Sequence, residues 1–553
     1  MPLDAFAPYR LAPGALPEEG ARAAAALAAE PLVAAAGEPL PSPLVNRALA
    51  DVAAGRAATS AEACRAADGG VAGMGGPPRA CLSSDRQRAR VAEAARAAIE
   101  AGFAGICLDR PDAPLAIGVL GAGFCSECQR AFARHLVREY GDHFQPLDYL
   151  ALAREAVAQA PGAVTFERLP FGRDFWRMRH DALERAVFDY ARATRDAARA
   201  AGKAFEVVAQ FEALGPAQLR SARHLDAAIF PAPVAAGSSG IGLFRLLRAV
   251  MGHRPAAVAP AAPSPPGALA RLAAVAATCG IEISGLEPSG DAGQEVAGVR
   301  RLARQLAAAG RGPLVTTPVA ECAILYSAEA DLWSGGRHRI AVERAGEVLA
   351  GRHVQAPVVT RLLDAPPEAA VVLAGAEALP PADVKELRRR LEAGGTVLTF
   401  GEVATVDETG RSHAGALPSA KPAGVRVGAG TLSELPELAL HGGEPLAPEL
   451  VDKALAAVLG KGRRAAGLWG RHPVLVIVDR TEAAVHVHLV ALGGERVQGA
   501  TLFVGVHVAG GVRRGRFVAT DGTDVRIPMN PSGTSLSTVL PAFRGYAVLS
   551  LAP

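Results

Sequence analysis

The sequence predicts an α/β chain in three parts: a (β/α)8-type barrel over 1–315, a doubly wound domain over 319–470 and a small all-β sandwich over 471–553. Three observations carry this. Short unalternating apolar runs recur between helical stretches as far as about residue 310, the pattern of parallel strands buried on both faces. A second strand–helix series follows from Val319, compact enough for one doubly wound sheet. From Pro473 the period changes to two, with Gly, Asp and Asn turns between short strands.

In the first part, residues 12–30 read as helix and 31–37 as a short strand. Residues 38–80 are poor in large apolar residues and rich in Gly, Pro and Ala, with GMGGPPR at 73–79 as loop, and an amphipathic helix follows from Asp85 to Ala101. The run Ile106–Cys107–Leu108 is a buried strand that stops at Asp109, because Pro111 and Pro114 forbid its continuation. A long helix over 174–202 ends at a glycine. Strands are expected at 204–211, 226–230, 256–260 and 281–287, the last backed by a helix over 291–309. About three strands are needed before residue 103, and only one or two can be found, so the barrel is expected to be incomplete at its N-terminus.

In the second part, strands at 320–327, 369–375 and 396–402 alternate with helices at 338–351 and 381–395. The sandwich offers six strand segments, of which AAVHVHLVAL places His486 and His488 on one face, read as solvent-facing. Arg388, Arg389 and Arg390 read as a solvated run on a helix. GSSGIG at 237–242 lacks the tight strand-to-helix turn of a phosphate cradle.

Composition narrows the function. The chain has 553 residues, 50% hydrophobic and 20% charged, with net charge +3, so no basic surface calls for nucleic acid. No apolar run is long enough to cross a bilayer, and the N-terminus lacks the pattern of a signal peptide. Seven cysteines, scattered and odd in number, do not form a disulfide framework. A cytoplasmic location and no membrane partner are expected.

The strand end at Asp109 is where a barrel keeps its chemistry. Acid/base or nucleophilic chemistry at such a strand end calls for a second carboxylate from another strand end. Glu287 comes first among the candidates, at the end of a late strand, and Glu212 second; Asp112 and Glu127 follow in the loop and helix behind Asp109. Arg110 and Asp112 are expected to contact substrate. Aromatics make up only 5% of the chain, and none of the three tryptophans follows a barrel strand, so the strand ends offer few aromatic faces to a ligand. Cys125 and Cys128 have the CxxC spacing of two thiolate metal ligands, with Cys81, Cys107, Cys64 and His135 as candidates to complete a tetrahedral zinc site. Free thiols are the alternative, and no other cofactor is expected.

FAGICLDRP followed by CSECQRAFARHL resembles the GFDGIFLD…CYCPRCREAF signature of glycosidase-like barrels, among them the family 42 β-galactosidases and related α-L-fucosidase-type barrels. AILYS…LWSGG with EALPPADVKELRRRLEAGGTVLTFGE resembles the flavodoxin-like β-galactosidase trimerisation domain. HVHLVALGGERVQGATLFVGVHV…RGYAVLSL resembles the C-terminal β domain of the same proteins. The resemblance implies a carbohydrate substrate, a retaining mechanism with Asp109 as nucleophile, and a homo-oligomer. It departs from family 42 in carrying Asp109–Arg110 where those enzymes have Asn-Glu. It departs again at Gly123, where the zinc-binding cysteine cluster of the family has a further cysteine. The alternative reading is a catalytically inactive relative that binds carbohydrate or serves in assembly.

Overall fold

A computed structural model describes residues 31–32, 49–55, 57, 63–72, 78–116, 121–141, 147–159, 169–232, 238–260, 266–283, 290–401, 403–407, 411–412, 417, 424–435, 455, 459 and 464–552. The helix expected over 12–30, most of the strand over 31–37, and Glu287 lie outside them. Among the described residues the chain is a mixed α/β protein with two mainly parallel sheets and two antiparallel ones, divided into two compact units. One comprises residues 1–232 with 255–259, the other 233–254 with 260–553. Among the described residues no helix is long and apolar enough to cross a membrane.

In the first unit the strands run in sequence order: β1 (Pro31–Leu32), β2 (Leu49–Val52), β3 (Gly105–Asp109), β4 (Glu206–Gln210), β5 (Ala227–Ala232) and β6 (Ala256–Pro260). β1 pairs antiparallel with β2, and β2–β3, β3–β4 and β4–β5 are parallel. Leu49, Cys107, Val208 and Ala227 pack together on one face. Because side chains alternate along a strand, Asp51, Asp109 and Gln210 share that face at the carboxyl ends of β2, β3 and β4. The helices Asp85–Glu100, Ser126–Tyr140 and Gly172–Ala200 belong to this unit, the first capped by Ser84, whose hydroxyl accepts from the Gln87 amide.

The second unit begins with helices Ile241–Met251 and Pro266–Thr278, a short strand β7 (Ile281–Ile283) and helix Gly290–Ala308. The glycine of GSSGIG that matters is Gly242. A Cβ there would stand 1.9 Å from the Glu343 carbonyl oxygen, so the motif serves helix packing. The next strands are β8 (Thr317–Pro318), β9 (Cys322–Leu325), β10 (Val358–Val359), β11 (Ala370–Ala374), β12 (Thr396–Phe400), β13 (Val425–Val427) and β14 (Gly430–Leu435). All but β8 form one sheet in the order β10-β9-β11-β12-β14-β13, parallel except for the β13–β14 pair. Its first five strands follow the 2-1-3-4-5 order of doubly wound proteins.

The final strands are β15 (Ala466–Trp469), β16 (Val474–Arg480), β17 (Val485–Ala491), β18 (Thr501–Gly505), β19 (Arg514–Ala519), β20 (Asp524–Pro528), β21 (Asn530–Ser532), β22 (Ser535–Val539) and β23 (Tyr546–Leu551). They make two antiparallel sheets, β15-β18-β22-β21 and β20-β19-β23-β17-β16-β8, enclosing a core that includes Val487, Leu489, Phe517 and Phe543.

Two expectations are corrected here. His486 and His488 are fully buried, because helix Pro266–Thr278 covers β17 on the face away from the sandwich core. His488 Nδ1 pairs with the Tyr546 hydroxyl at 2.7 Å, and His486 Nδ1 with the Ser550 hydroxyl at 3.0 Å. Arg390 is buried as well: its guanidinium donates to the carbonyl oxygens of Leu362, Ala365 and Pro366 and closes the short helical turn there.

Candidate functional site

The carboxyl ends of β2, β3 and β4 bring three acids and two arginines together. Asp109 ends β3 and pairs with Arg110, whose Nε stands 3.0 Å from Asp109 Oδ1. Arg110 has φ 44°, a left-handed conformation that costs a non-glycine residue about 1–2 kcal/mol. Its amide donates to the Gln210 carbonyl at 2.8 Å, which fixes the bend. Gly55 permits the close approach of the loop after β2, since a Cβ there would lie 1.9 Å from the Arg110 carbonyl oxygen. Burial works against the Arg110 cation, but the carboxylates of Asp109, Glu212 and Asp51 together raise it above its ordinary value. Burial, with Asp51 and Asp109 close by, likewise pushes the Cys107 thiol well up.

Glu212 follows β4 and is held by Arg79, Nη1 to Oε2 at 3.2 Å and Nη2 to Oε1 at 3.3 Å, a two-point ion pair. Its backbone is held by Asp112. Asp112 Oδ1 accepts from the Glu212 amide at 2.8 Å, and Oδ2 accepts from the Ala213 amide and Gln218 Nε2, both at 2.9 Å. Asp112 is fully buried, and burial pushes its carboxyl up to about 6 against the pull of these donors. Asp112, expected to contact substrate, has both oxygens engaged by the chain itself. Asp109, Arg110 and Glu212 are brought together, whereas Glu127 is ion-paired with Arg130 on its own helix. Sequence reading missed Asp51 and Arg79. A strand of four residues inside an alanine-rich stretch gives little signal, and the Arg79–Glu212 pairing spans 133 residues.

Beside this cluster lies a second one. The sulfurs of Cys64, Cys81, Cys125 and Cys128 all fall within 4.8 Å of one another, the one group of this kind among the described residues. Cys125 caps helix Ser126–Tyr140 and Cys128 sits in its first turn, so both sulfurs meet the same neighbour. Ala63 bridges to Ala80 and Arg65 to Val71, which carries Cys64 and Cys81 to that helix end. Sulfur separations are 3.4 Å for Cys81–Cys125, 3.5 Å for Cys81–Cys128 and 3.9 Å for Cys64–Cys128. Four sulfurs around a tetrahedral zinc, each about 2.3 Å from it, are about 3.8 Å apart, so the donor set fits. The neighbouring thiols, Cys125 first, and the Gly123 amide hold the Cys64 thiol well below its ordinary range.

Of the expected candidates, Cys64 and Cys81 join the CxxC pair. Cys107 does not, since it packs with Leu49, Val208 and Ala227. His135 does not either: its Nδ1 pairs with Arg138 at 2.9 Å. At Gly123 the backbone amide donates to Cys64 Sγ at 3.0 Å.

No protein-family model matches the chain, and none of the curated protein sequences does. Solved structures do. A β-galactosidase from Bacillus circulans sp. alkalophilus superposes with TM-score 0.61 at 13% identity, over 89% of this chain and 86% of that one. Gan42B, a GH42 β-galactosidase from G. stearothermophilus, gives TM-score 0.63 at 12% identity over 92% and 88%. The α-L-fucosidase isoenzyme 2 from Paenibacillus thiaminolyticus gives 0.62 at 13% identity over 92% and 88%. Across about nine-tenths of its length, then, the chain has a glycoside hydrolase-like fold similar to those of the GH42 β-galactosidases and of an α-L-fucosidase.

Proposed function

We propose that the protein is a carbohydrate-active hydrolase of the glycosidase type, with its site at the carboxyl ends of β2–β4 in a (β/α)8-type barrel. The observation that carries this is the convergence of Asp51, Asp109 and Glu212 around Arg110 at adjacent strand ends. In this reading Asp109 is the nucleophile of a retaining reaction, and Glu212 the acid/base. Arg110 orients the sugar and steadies Asp109. Asp112 and Arg79 position Glu212 from behind.

A specific observation favours the second reading, a catalytically inactive relative that binds carbohydrate. Both carboxylates are ion-paired with arginine, Asp109 with Arg110 and Glu212 with Arg79. An acid/base has to leave such a pair to carry a proton. Hydrolysis of a panel of nitrophenyl glycosides, fucoside and galactoside included, separates the two. If the first reading holds, wild type turns over one member, Asp109→Asn abolishes turnover and Glu212→Gln lowers it by about 10²–10⁴. No turnover by a folded protein that still binds a sugar saturably establishes the second.

The four cysteines fit a structural zinc site, and Cys64, Cys81, Cys125 and Cys128 would hold the ion. Such an ion supplies a crosslink between the 63–81 segment and helix Ser126–Tyr140, with no open position for chemistry. Metal analysis of the purified chain tests this: one zinc per chain is expected, and Cys81→Ser should lose it.

A further inference from the structure

Arg179 lies on helix Gly172–Ala200 and is 4% exposed, packed with its guanidinium 5.7 Å from the Phe175 ring centroid. Taking a guanidinium out of water is costly unless opposite charge and hydrogen bonds answer it. Burial disfavours this cation and holds it below its ordinary value, yet the side chain lines one small cavity with Cys64, Cys128 and Gly123, beside the sulfur cluster. Its Nη2 also donates to the Pro114 carbonyl oxygen at 2.7 Å.

Gly123 makes room for this arrangement. A Cβ there would stand 2.7 Å from Phe175 Cζ and 3.2 Å and 3.3 Å from Arg179 Cδ and Nε. The missing side chain at 123 thus lets Arg179 run beside the residue whose amide donates to Cys64.

Pro114 sits in the short helical turn Ala113–Ala116, directly after Asp112. Asp112 in turn holds the backbone of Glu212 and Ala213. A line of neighbours therefore runs from the Cys64 sulfur through Gly123, Arg179 and Pro114 to the loop that sets Glu212. Four thiolates around a divalent ion leave two net negative charges in a buried place, and one guanidinium offsets half of that.

We propose that Arg179 is a positioning residue with two tasks: it is the counter-charge to a metal tetrathiolate at the four cysteines, and it fastens that centre to the loop orienting Glu212. This rests on the reading of the cysteine cluster as a metal site.

The test uses the full chain, wild type, Arg179→Met and Arg179→Lys, with zinc and cobalt(II) affinity measured by competition against a chromophoric chelator. Hydrogen exchange is followed in peptides covering 110–116 and 211–214, with and without metal. Arg179→Met is expected to bind either metal about 10- to 100-fold more weakly. Stripping the metal should raise exchange in both peptides of the wild type and change nothing further in Arg179→Met. Arg179→Lys keeps the charge but loses the planar fork, so its metal affinity should stay within about threefold while exchange at 110–116 rises.

Affinity of Arg179→Met within about twofold of wild type would overturn the proposal, as would loop exchange that ignores the metal in wild type. Should Arg179→Met not fold, Arg179→Lys decides alone, and unchanged exchange at 110–116 counts against the proposal. A wild type that takes up neither metal defeats the metal reading itself, and is told apart from these outcomes by the affinity titration.

Discussion

Asp112 is a carboxylate used as a fastener, with one oxygen on the Glu212 amide and the other shared by Ala213 and Gln218. Asparagine has the same shape but must turn an NH2 toward one of these donors. Asp112→Asn is therefore expected to cost about 2 kcal/mol in a urea titration. It should also depress any turnover that depends on Glu212, and a variant as stable as wild type would show that the three bonds contribute nothing. At this scale the sequence was legible where a residue's role is local. Asp109 was found because an apolar run and two prolines frame it. Arg79 was not, because nothing near it in the chain points to Glu212. Cys64 and Cys81 could be counted among metal candidates but not chosen over Cys107 or His135, since their place depends on the Ala63–Ala80 and Arg65–Val71 bridges.

At the level of elements, several helices and buried strands expected from periodicity form, among the described residues, close to their expected limits: helix 85–101 is Asp85–Glu100, strand 256–260 is β6, and helix 381–395 is Pro381–Glu392. What periodicity could not report is which faces are covered. Alternation along β17 is the same whether its second face meets water or a helix, so His486 and His488 were misplaced. Nor does periodicity report how closely elements approach. Helices Ile241–Met251 and Arg337–Ala350 touch through their backbones, with a Cβ on Gly346 reaching 2.7 Å from Gly242 Cα. Gly242→Ala has to push the two helices apart, and a loss of about 1–3 kcal/mol is expected in chemical denaturation. A neutral result would mean that the crossing is loose.

For the whole molecule, pH is the revealing variable. Burial lowers His180 and His488 to about 3 and His338 and His486 to about 4. A histidine depressed in the folded state gives stability that is complete above its unfolded value near 6.5 and is lost as the pH falls toward the folded value. Asp112, Asp331 and Asp479, raised by burial to about 6, act in the opposite sense, since their contribution is lost as the pH rises from about 4 to 6. The histidine shifts are the larger, so the melting temperature should fall steadily below about pH 6.5. A melting temperature that is flat or rising from pH 7 to pH 5 would contradict this balance.

The route of the chain through the second unit has a consequence for its birth. β8 completes the edge of the sandwich sheet by pairing with Asp479 and Arg480. Gln355 waits for the same strand, its side chain donating to the Val476 carbonyl and accepting from the Val478 amide. At ribosomal speeds of about 5–20 residues per second, roughly ten to thirty seconds separate the emergence of Thr317 from that of Arg480. For that interval a nascent chain holds out an unclaimed strand and a buried-to-be amide. The doubly wound sheet can close during translation, while the sandwich can be sealed only after the last strand has left the tunnel.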